Sequence, residues 1–476
     1  MWNACKDAFC QERTARRGQR LALSQLICPG RHTVTGLLYT CGRQFEDWSG
    51  DYRLFSRDSW DMRELFVPIA RSLLGLTPPD DPLVVAMDDT LLRKTGPKIP
   101  GVGYRRDPLS PAFQVNLVRG QRFLQLSGLL PAGQVPASAR AIPLRFEHVP
   151  PVPKPKKSAS EEEKKIYRQR QKVENLSTRG VGLLHQLREE LDRRHDASRR
   201  LLIVGVDGGY TNKTVLKRLP ERTTLIGRVR KDAALFYPVT PEDQAPVGTR
   251  RHYGRPAPTP EQLRQDDAVP WQEVTAFAAG KLHTFRVKTI GPLLWKTAGA
   301  DRPLRLVVIA PVGYRLRKNS RLLYRQPAYL ICTDLDLPLG LLLQYYVWRW
   351  EVEVDHRDEK QIVGVGEAQV RALRSVDRQP AFAVAAYAAL LLAAARTYGV
   401  DAEHGSLPLP KWQARQPRTR ISTQELIREL RSEVYAYAIP RLIGDSEPFV
   451  VADQAITKAP ESQLPAASAL IYAATG

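Results

Sequence analysis

Four residues that could act together on a phosphate group lie close to one another in the sequence: Tyr346, Arg349, Glu353 and Lys360. If the surrounding segment is one helix, an advance of about 100° per residue places all four within an arc of about 60°. The acidic residues interspersed among them fall on the opposite side of that helix, and these are Glu351, Asp355, Asp358 and Glu359. One carboxylate beside a phenol and two cations is typical of a surface that holds a divalent metal and phosphate groups together.

Two hydrophobic runs upstream end in aspartates. Residues 83–90 read LVVAMDDT and contain Asp88 and Asp89, whereas residues 201–210 read LLIVGVDGGY and contain Asp207. Short apolar runs of this kind predict buried strands. The sequence therefore predicts a carboxylate at the end of each of two strands.

The spacing Y-x2-R-x3-E-x6-K resembles the YREK signature of one large branch of DDE transposases from bacterial insertion sequences. Members of that branch also carry an Asp-Thr pair after the first strand and Asp-x-Gly-Tyr after a later one, and both contexts occur here. The resemblance implies that Asp89, Asp207 and Glu353 are the catalytic, metal-binding triad. Asp89 is preferred because it immediately precedes Thr90, although the strand could deliver Asp88 instead.

The resemblance also implies two Mg²⁺ or Mn²⁺ ions as cofactors. Hard divalent cations prefer oxygen ligands, so carboxylates from separate elements can hold a metal pair and leave room for substrate. Two ions about 4 Å apart can stabilise both the attacking and the leaving oxygen of an in-line displacement at phosphorus. Tyr346, Arg349 and Lys360 are then expected to bind DNA phosphates around the transposon end.

The function expected from this resemblance is that of a DNA transposase. Water would first cleave DNA at the transposon end, and the freed 3′-hydroxyl would then attack a target phosphodiester. Two alternatives stay open at this point. One is a non-catalytic, domesticated DNA-binding protein, and the other is a metal-dependent DNA nuclease without strand transfer.

Bulk charge favours a polyanionic partner. Lys and Arg number 71 against 50 Asp and Glu, which gives a formal net charge of +21. A balance this basic is typical of proteins that bind nucleic acid, although charge alone does not separate DNA from RNA or an anionic membrane. The resemblance implies double-stranded DNA, as terminal inverted repeats and as target, and a homodimer in a synaptic complex.

Cytoplasmic, nucleoid-associated location is expected from the lack of membrane signals. The longest apolar stretch, residues 382–395, is shorter than the roughly 20 residues that a membrane span requires. The N-terminus has no apolar central region of the kind found in signal peptides. A zinc site is a weak alternative, because the N-terminal cysteines and histidine lack a C-x2-C pair; these residues are Cys5, Cys10, Cys28, His32 and Cys41.

The predicted fold class is α/β, with a ribonuclease-H-like catalytic core, a mixed sheet flanked by helices. Three strands, a helix and a further strand, with acids after the first and fourth strands, give this order. The predicted regions are a helical DNA-binding domain at 1–80, core segments at 81–229 and 336–400, a β-rich insertion domain at 230–335, and a basic linker with a C-terminal helical region at 401–476.

The predicted insertion domain is expected, by resemblance, to reach over the DNA end. Related transposases carry an insertion at this place that can help form a hairpinned DNA intermediate. An aromatic side chain that stacks on a flipped base would lie there, and Trp295 is the candidate. A single tryptophan also commonly packs into a core.

Overall fold

The computed structural model describes residues 2–57, 60–107, 110–111, 113–244, 250–298, 302–317, 319–400 and 420–436. The predicted linker and C-terminal tail, at 401–419 and 437–476, lie outside these residues. A 3₁₀ helix at Trp2–Ala8 precedes the α-helices. The α-helices are α1 Glu12–Ile27, α2 Val34–Thr40, α3 Ser49–Ser56, α4 Met62–Leu74, α5 Glu161–Val173, α6 Leu176–Asp192, α7 Lys213–Leu216, α8 Pro260–Gln265, α9 Leu339–Trp348, α10 Glu351–Gln361, α11 Leu373–Tyr398 and α12 Thr423–Ala436.

Most strands of the described chain belong to one ten-stranded sheet, and two form a separate hairpin. The strands are β1 Leu83–Arg93, β2 Gly103–Arg106, β3 Leu117–Pro131, β4 Ala139–His148, β5 Leu202–Val206, β6 Thr223–Arg228, β7 Gln272–Ala278, β8 Lys281–Leu293, β9 Leu304–Ile309, β10 Gly313–Tyr314, β11 Leu323–Tyr324 and β12 Ala328–Cys332.

The centre of the large sheet has the order β4-β3-β1-β5-β6. β1 is antiparallel to β3 and β3 to β4, whereas β1, β5 and β6 are parallel to one another. A mixed α/β sheet of this order is consistent with the predicted ribonuclease-H-like fold. It brings β1 next to β5, which ends just before Asp207. β1 continues through Asp88 and Asp89 to Arg93 instead of ending at the aspartates as predicted, because it stays paired with β3 over that length.

The strands predicted as an insertion extend this same sheet. β12 pairs with β6, and the order then continues through β9, β8 and β7. The edge that β6 would otherwise expose is therefore covered by strand pairing. The strand-rich character of residues 230–335 follows the prediction, while the division into separate domains stays a prediction.

The two faces of the sheet carry different helices because side chains alternate along each strand. Leu83, Val85 and Met87 face a core shared with the N-terminal helices, α6 and α11. Val84 and Ala86 face the other core, which is covered by α9 and the start of α10. Whether a residue of β1 has an odd or an even number thus decides which set of helices its side chain contacts.

The N-terminal helices pack on the rest of the protein. Trp2, Phe55 and Trp60 all contact the ring of Phe382 in α11 edge-on. Asp61 caps α4 by accepting a hydrogen bond from the N–H of Arg63. The described part of this region therefore shares its hydrophobic core with the sheet.

Helix α11 is the longest apolar element of the described chain. It is long and apolar enough to cross a membrane by length and composition, and 83% of its apolar window is buried inside the protein. A long apolar helix that is mostly buried inside the protein is typical of the core of a globular protein.

Candidate active site

Asp207 and Asp88, the alternative to the preferred Asp89, lie where β1 and β5 run side by side. The parallel register pairs Leu83 with Leu202 and Met87 with Val206. The next step of the same register sets Asp88 beside Asp207, on neighbouring strands that lie about 4.8 Å apart. By alternation, both aspartates follow the Val84 and Ile203 face, which α9 and α10 cover.

Asp89 points to the opposite face of β1. Its carboxylate accepts a hydrogen bond from the hydroxyl of Tyr210 at 2.8 Å and forms an ion pair with Arg122 at 3.2 Å. Tyr210 is buried in the core that contains Met87. The carboxylate preferred from the Asp-Thr pair therefore lies across the strand from Asp88.

Glu353 lies on α10, but the predicted single helix is divided. α9 ends at Trp348 and α10 begins at Glu351. Between them the N–H groups of Arg349 and Trp350 donate hydrogen bonds to carbonyls three residues earlier, both at 3.2 Å, as in a tighter 3₁₀ turn. The local geometry differs from the uniform advance of 100° because of this turn.

Arg349 joins the acids of the strands to the acid of the helix. Its guanidinium lies 3.1 Å from Glu353 Oε1 and 3.8 Å from Asp88 Oδ2. The Arg349 side chain is only 11% exposed. Asp88 and Glu353 are consequently brought to the same cation, and Asp207 lies beside Asp88.

The surroundings of Asp88 disfavour its ionised form. Burial raises the pKa of the Asp88 carboxyl to about 7. The neighbouring Asp207 and Asp89 carboxylates raise it further, while the N–H of Asp89 and the guanidinium of Arg349 oppose the rise. A cation placed between these carboxylates would offset that repulsion.

The other members of the signature surround the same point. The guanidinium of Arg349 lies over the ring of Tyr346, 5.8 Å from its centre. Burial lowers the pKa of the Lys360 ammonium, and Asp88 is among the nearby charges that raise it. The four residues of the signature are therefore grouped around Asp88, although a turn separates α9 from α10; these residues are Tyr346, Arg349, Glu353 and Lys360.

The remaining acids of α10 are mostly buried away from this group. Asp355 accepts a hydrogen bond from the hydroxyl of Ser127 at 3.2 Å. Glu359 is 1% exposed, and burial raises its pKa to about 8. The separation of Glu353 from the other acids is thus retained, although those acids lie in the interior of the protein.

The donor set matches a hard divalent cation in chemistry, because all three side chains offer carboxylate oxygens. Among the described residues, no three acidic, histidine or cysteine side chains lie close enough together to hold a metal ion as they stand. The guanidinium of Arg349 is the group that lies between Asp88 and Glu353. Within the described residues, the N-terminal cysteines and His32 form no such group either.

A cleft of about 1010 Å³ opens beside Asp207. Gly208, Thr211 and Trp295 are among the residues that line it. Trp295 is half-buried and also packs against the main core. The cleft carries an excess of cations along its wall, and these are Arg228, Arg230, Lys231 and Arg264.

Arginines of the region predicted to bind DNA gather on the exposed side of α1. Arg13, Arg16 and Arg17 line a cavity of about 470 Å³. Asp51, which is 1% exposed, lies 2.7 Å from Arg20. A buried carboxylate thus holds part of this cluster in place.

A buried lysine that the sequence analysis did not select restrains the loop after α10. Lys94 donates hydrogen bonds to the carbonyls of Gly366 at 2.6 Å and Ala368 at 2.8 Å. Gln25 of α1 donates to the carbonyl of Val363 at 2.7 Å, and the N–H of His32 donates to Glu367 at 2.7 Å. The loop that follows α10 is therefore fixed by the residue after β1 and by the N-terminal region.

Only the tertiary structure identifies these contacts, because the partners are hundreds of residues apart. The glycine content of the loop is the one local signal. Gly364 has a φ of +71°, and a Cβ there would lie 2.2 Å from His32.

Comparison with known protein families gives one match. A family model described as DDE superfamily endonuclease matches residues 8–296, more than half of the chain. The matched region includes Asp88, Asp207 and Trp295, whereas α9 and α10 lie beyond it. No curated protein matches the sequence.

Proposed function

Because the chain belongs to the DDE superfamily of endonucleases, we propose that it is a DNA transposase of the YREK branch. It would cleave DNA at the ends of a mobile element and join the 3′-hydroxyl ends to target DNA. The observation that carries this proposal is that Asp207 follows β5 beside Asp88 of β1, while Arg349 contacts both Asp88 and Glu353. The family gives nuclease or transposase chemistry on DNA, and strand transfer is the proposed addition.

We assign the metal ligands to Asp88, Asp207 and Glu353. Asp88 and Asp207 occupy neighbouring positions of the parallel ladder, and Arg349 links Asp88 to Glu353. Asp89 is engaged by Tyr210 and Arg122 on the other face. This assignment differs from the choice of Asp89 that the Asp-Thr context favours.

Magnesium or manganese fits this set of oxygen donors. When bound, two such ions would stabilise the attacking and leaving oxygens of phosphoryl transfer. The three carboxylates would hold the ions. Arg349, which bridges Asp88 and Glu353 in the structure, would turn to the phosphate of the DNA substrate.

Tyr346 and Lys360 are proposed to position the DNA strand at the same point. Lys360 offers a point charge beside Asp88, and Tyr346 offers a hydroxyl and an aromatic face beside Arg349. The basic cleft next to Asp207 suits the continuing backbone of the strand. Trp295, at the wall of that cleft, is the proposed stacking partner for a flipped base.

The partners proposed are the terminal inverted repeats of the element and the target DNA. The arginine cluster on α1 supplies a second basic surface for such DNA. A homodimer in the synaptic complex and location in the cytoplasm, at the nucleoid, complete the proposal. Both rest on resemblance and on the basic composition.

The test uses the DNA that flanks the gene as substrate for the purified protein. With Mg²⁺ we expect cleavage at both boundaries of the element, followed by joining of the new 3′ ends to a plasmid. Cleavage without joining would support a nuclease, and binding without cleavage would support a domesticated DNA-binding protein. Random cleavage unrelated to the element boundaries would contradict the transposase proposal.

Removal of the cations beside the acids is expected to impair cleavage. Arg349→Ala and Lys360→Ala should each lower the cleavage rate by about 100-fold, because a small misplacement of the scissile phosphate is costly. Arg357→Ala is the matched control, because Arg357 is exposed and pairs with Asp358 at 2.9 Å. Equal losses in all three variants, with unchanged melting temperatures, would contradict the grouping of Arg349 and Lys360 at the site.

A further inference from the structure

The β10–β11 hairpin is separate from the large sheet. Gly313 pairs with Tyr324, and Tyr314 pairs with Leu323, in a two-stranded sheet of their own. A two-stranded hairpin alone is only marginally stable in water. Its conformation is held at the turn, where Ser320 exchanges hydrogen bonds with the main chain of Arg317.

The hairpin has an unusual charge composition. Residues 313–325 read GYRLRKNSRLLYR, with five basic residues and no acidic residue. Four of the arginines are exposed in the structure, and these are Arg315, Arg317, Arg321 and Arg325. Exposed cations without acidic residues in the same segment are typical of surfaces that bind phosphate groups.

Apolar and aromatic side chains are exposed among these cations. Leu316 is 74% exposed and Tyr324 is 66% exposed. The guanidinium of Arg325 lies over the ring of Tyr314, 5.5 Å from its centre. Tyrosine hydroxyls and arginines contact the phosphates and sugars of DNA.

The base of the hairpin adjoins the proposed active site. Pro311, which precedes β10, and Pro327, which follows β11, line the same cleft as Gly208 and Thr211. β10 and β11 themselves have two residues each. About six residues of extended chain on each side of the turn would span roughly 20 Å at the usual rise per residue. A two-stranded ribbon is narrow enough for the major groove of duplex DNA.

We propose that the β10–β11 hairpin is an arm that binds the backbone of the duplex whose phosphodiester is cleaved in the neighbouring cleft. Arg317 and Arg321 would neutralise phosphates on that duplex. The proposal rests on the proposed function for the identity of the DNA, while contact with duplex DNA can be measured independently of cleavage.

The first test is the salt dependence of binding to short random-sequence duplex DNA. Each phosphate contact contributes about 0.9 to the slope of log K against log[salt]. The double variant Arg317→Ala, Arg321→Ala should therefore lower the slope by about 2 and weaken binding by about 10-fold to 30-fold near 0.1 M salt. The main-chain bonds to Ser320 remain available in this variant, because they involve main-chain atoms of Arg317.

The matched control is Arg193→Ala, Arg199→Ala. Both arginines are exposed, and Arg199 precedes β5 at the end of the strand opposite Asp207. The control should change the slope by less than about 0.5. An equal change in the two double variants would overturn the hairpin as a specific contact.

A second measurement identifies the DNA. The hairpin variant should also slow cleavage of the element-end duplex, whereas normal cleavage with a defect only in joining to target DNA would overturn the assignment to the cleaved duplex. Altered self-association in sedimentation, with unchanged DNA binding, would make the hairpin a protein contact and would also overturn the proposal. If the wild-type protein cleaves no DNA, the proposed function fails, and the salt slopes still decide whether the hairpin binds duplex.

Discussion

Asp88→Asn is expected to abolish DNA cleavage, with a loss of about 1,000-fold or more. The amide keeps the shape of the side chain and removes the negative oxygen that a divalent cation requires. Asp207→Asn and Glu353→Gln should give losses of the same size, because all three carboxylates are proposed to hold the same ions. The measurement is cleavage of labelled element-end DNA in Mg²⁺.

Asp89→Asn is the matched control for this prediction. It changes the adjacent residue in the same way, on the face of β1 that meets Tyr210 and Arg122. We expect this variant to retain cleavage within about 10-fold of the wild type, because an indirect effect on strand position is smaller than loss of a ligand. An inactive Asp89→Asn together with an active Asp88→Asn would restore the assignment that the Asp-Thr pair favours.

DNA binding separates loss of chemistry from loss of folding. Each amide variant should bind element-end DNA as tightly as the wild type, because the basic surfaces are unchanged. Weakened binding together with a lower melting temperature would mean that the substitution had damaged the fold.

Glu359→Gln is expected to be more stable than the wild type, by a margin that grows as the pH rises from 5 to 7. Burial raises the pKa of Glu359 to about 8, from an ordinary value of 4.5. Between these values the native protein keeps the proton that the unfolded chain has released, so the free energy of unfolding falls with rising pH by up to about 1.4 kcal/mol per unit. Glutamine has no proton to lose, so the free energy of unfolding of the variant lacks this fall with rising pH.

The difference between variant and wild type should grow by up to about 3 kcal/mol from pH 5 to pH 7. Urea unfolding at a series of pH values measures it. Glu273→Gln is the control for loss of one carboxylate, because Glu273 is exposed on β7. Parallel stability curves for the Glu359 variant and the wild type would show that Glu359 is ionised in the native protein at neutral pH.

The general form of the site follows from local sequence patterns. The apolar runs before Asp88 and Asp207 correspond to β1 and β5, and Glu353 lies on a helix as expected. The choice between Asp88 and Asp89 could not be made in the same way. Alternation places the two on opposite faces of β1, and only the packing of α9 and α10 decides which face carries the third acid.

Local sequence patterns also could not predict the division between α9 and α10. Residues 346–353 read YVWRWEVE and contain no proline or glycine that would end a helix. Arg349 and Trp350 also keep helical backbone angles in the structure. The turn tightens where Arg349 meets Asp88, a residue about 260 positions earlier in the chain. The periodicity of a sequence does not reveal contacts between residues this far apart in the chain.

The buried acids of α10 show the same limit. The sequence separates them from Glu353 by angle but does not supply their surroundings. In the structure the hydroxyl of Tyr387 lies 3.4 Å from Asp355, and Arg140 is buried nearby in β4. Sheet pairing is a further example, because the strands of residues 230–335 were expected and their continuation of the central sheet was not.

Mapping the metal by iron-mediated cleavage of the protein tests the central claim most directly. Fe²⁺ in place of Mg²⁺, with ascorbate and hydrogen peroxide, cuts the polypeptide close to where the ion binds. We predict fragments that end near Asp88, Asp207 and Glu353, lost in Asp88→Asn and retained in Asp89→Asn. Fragments that persist in Asp88→Asn and vanish in Asp89→Asn, or cuts at none of these three places, would contradict the account.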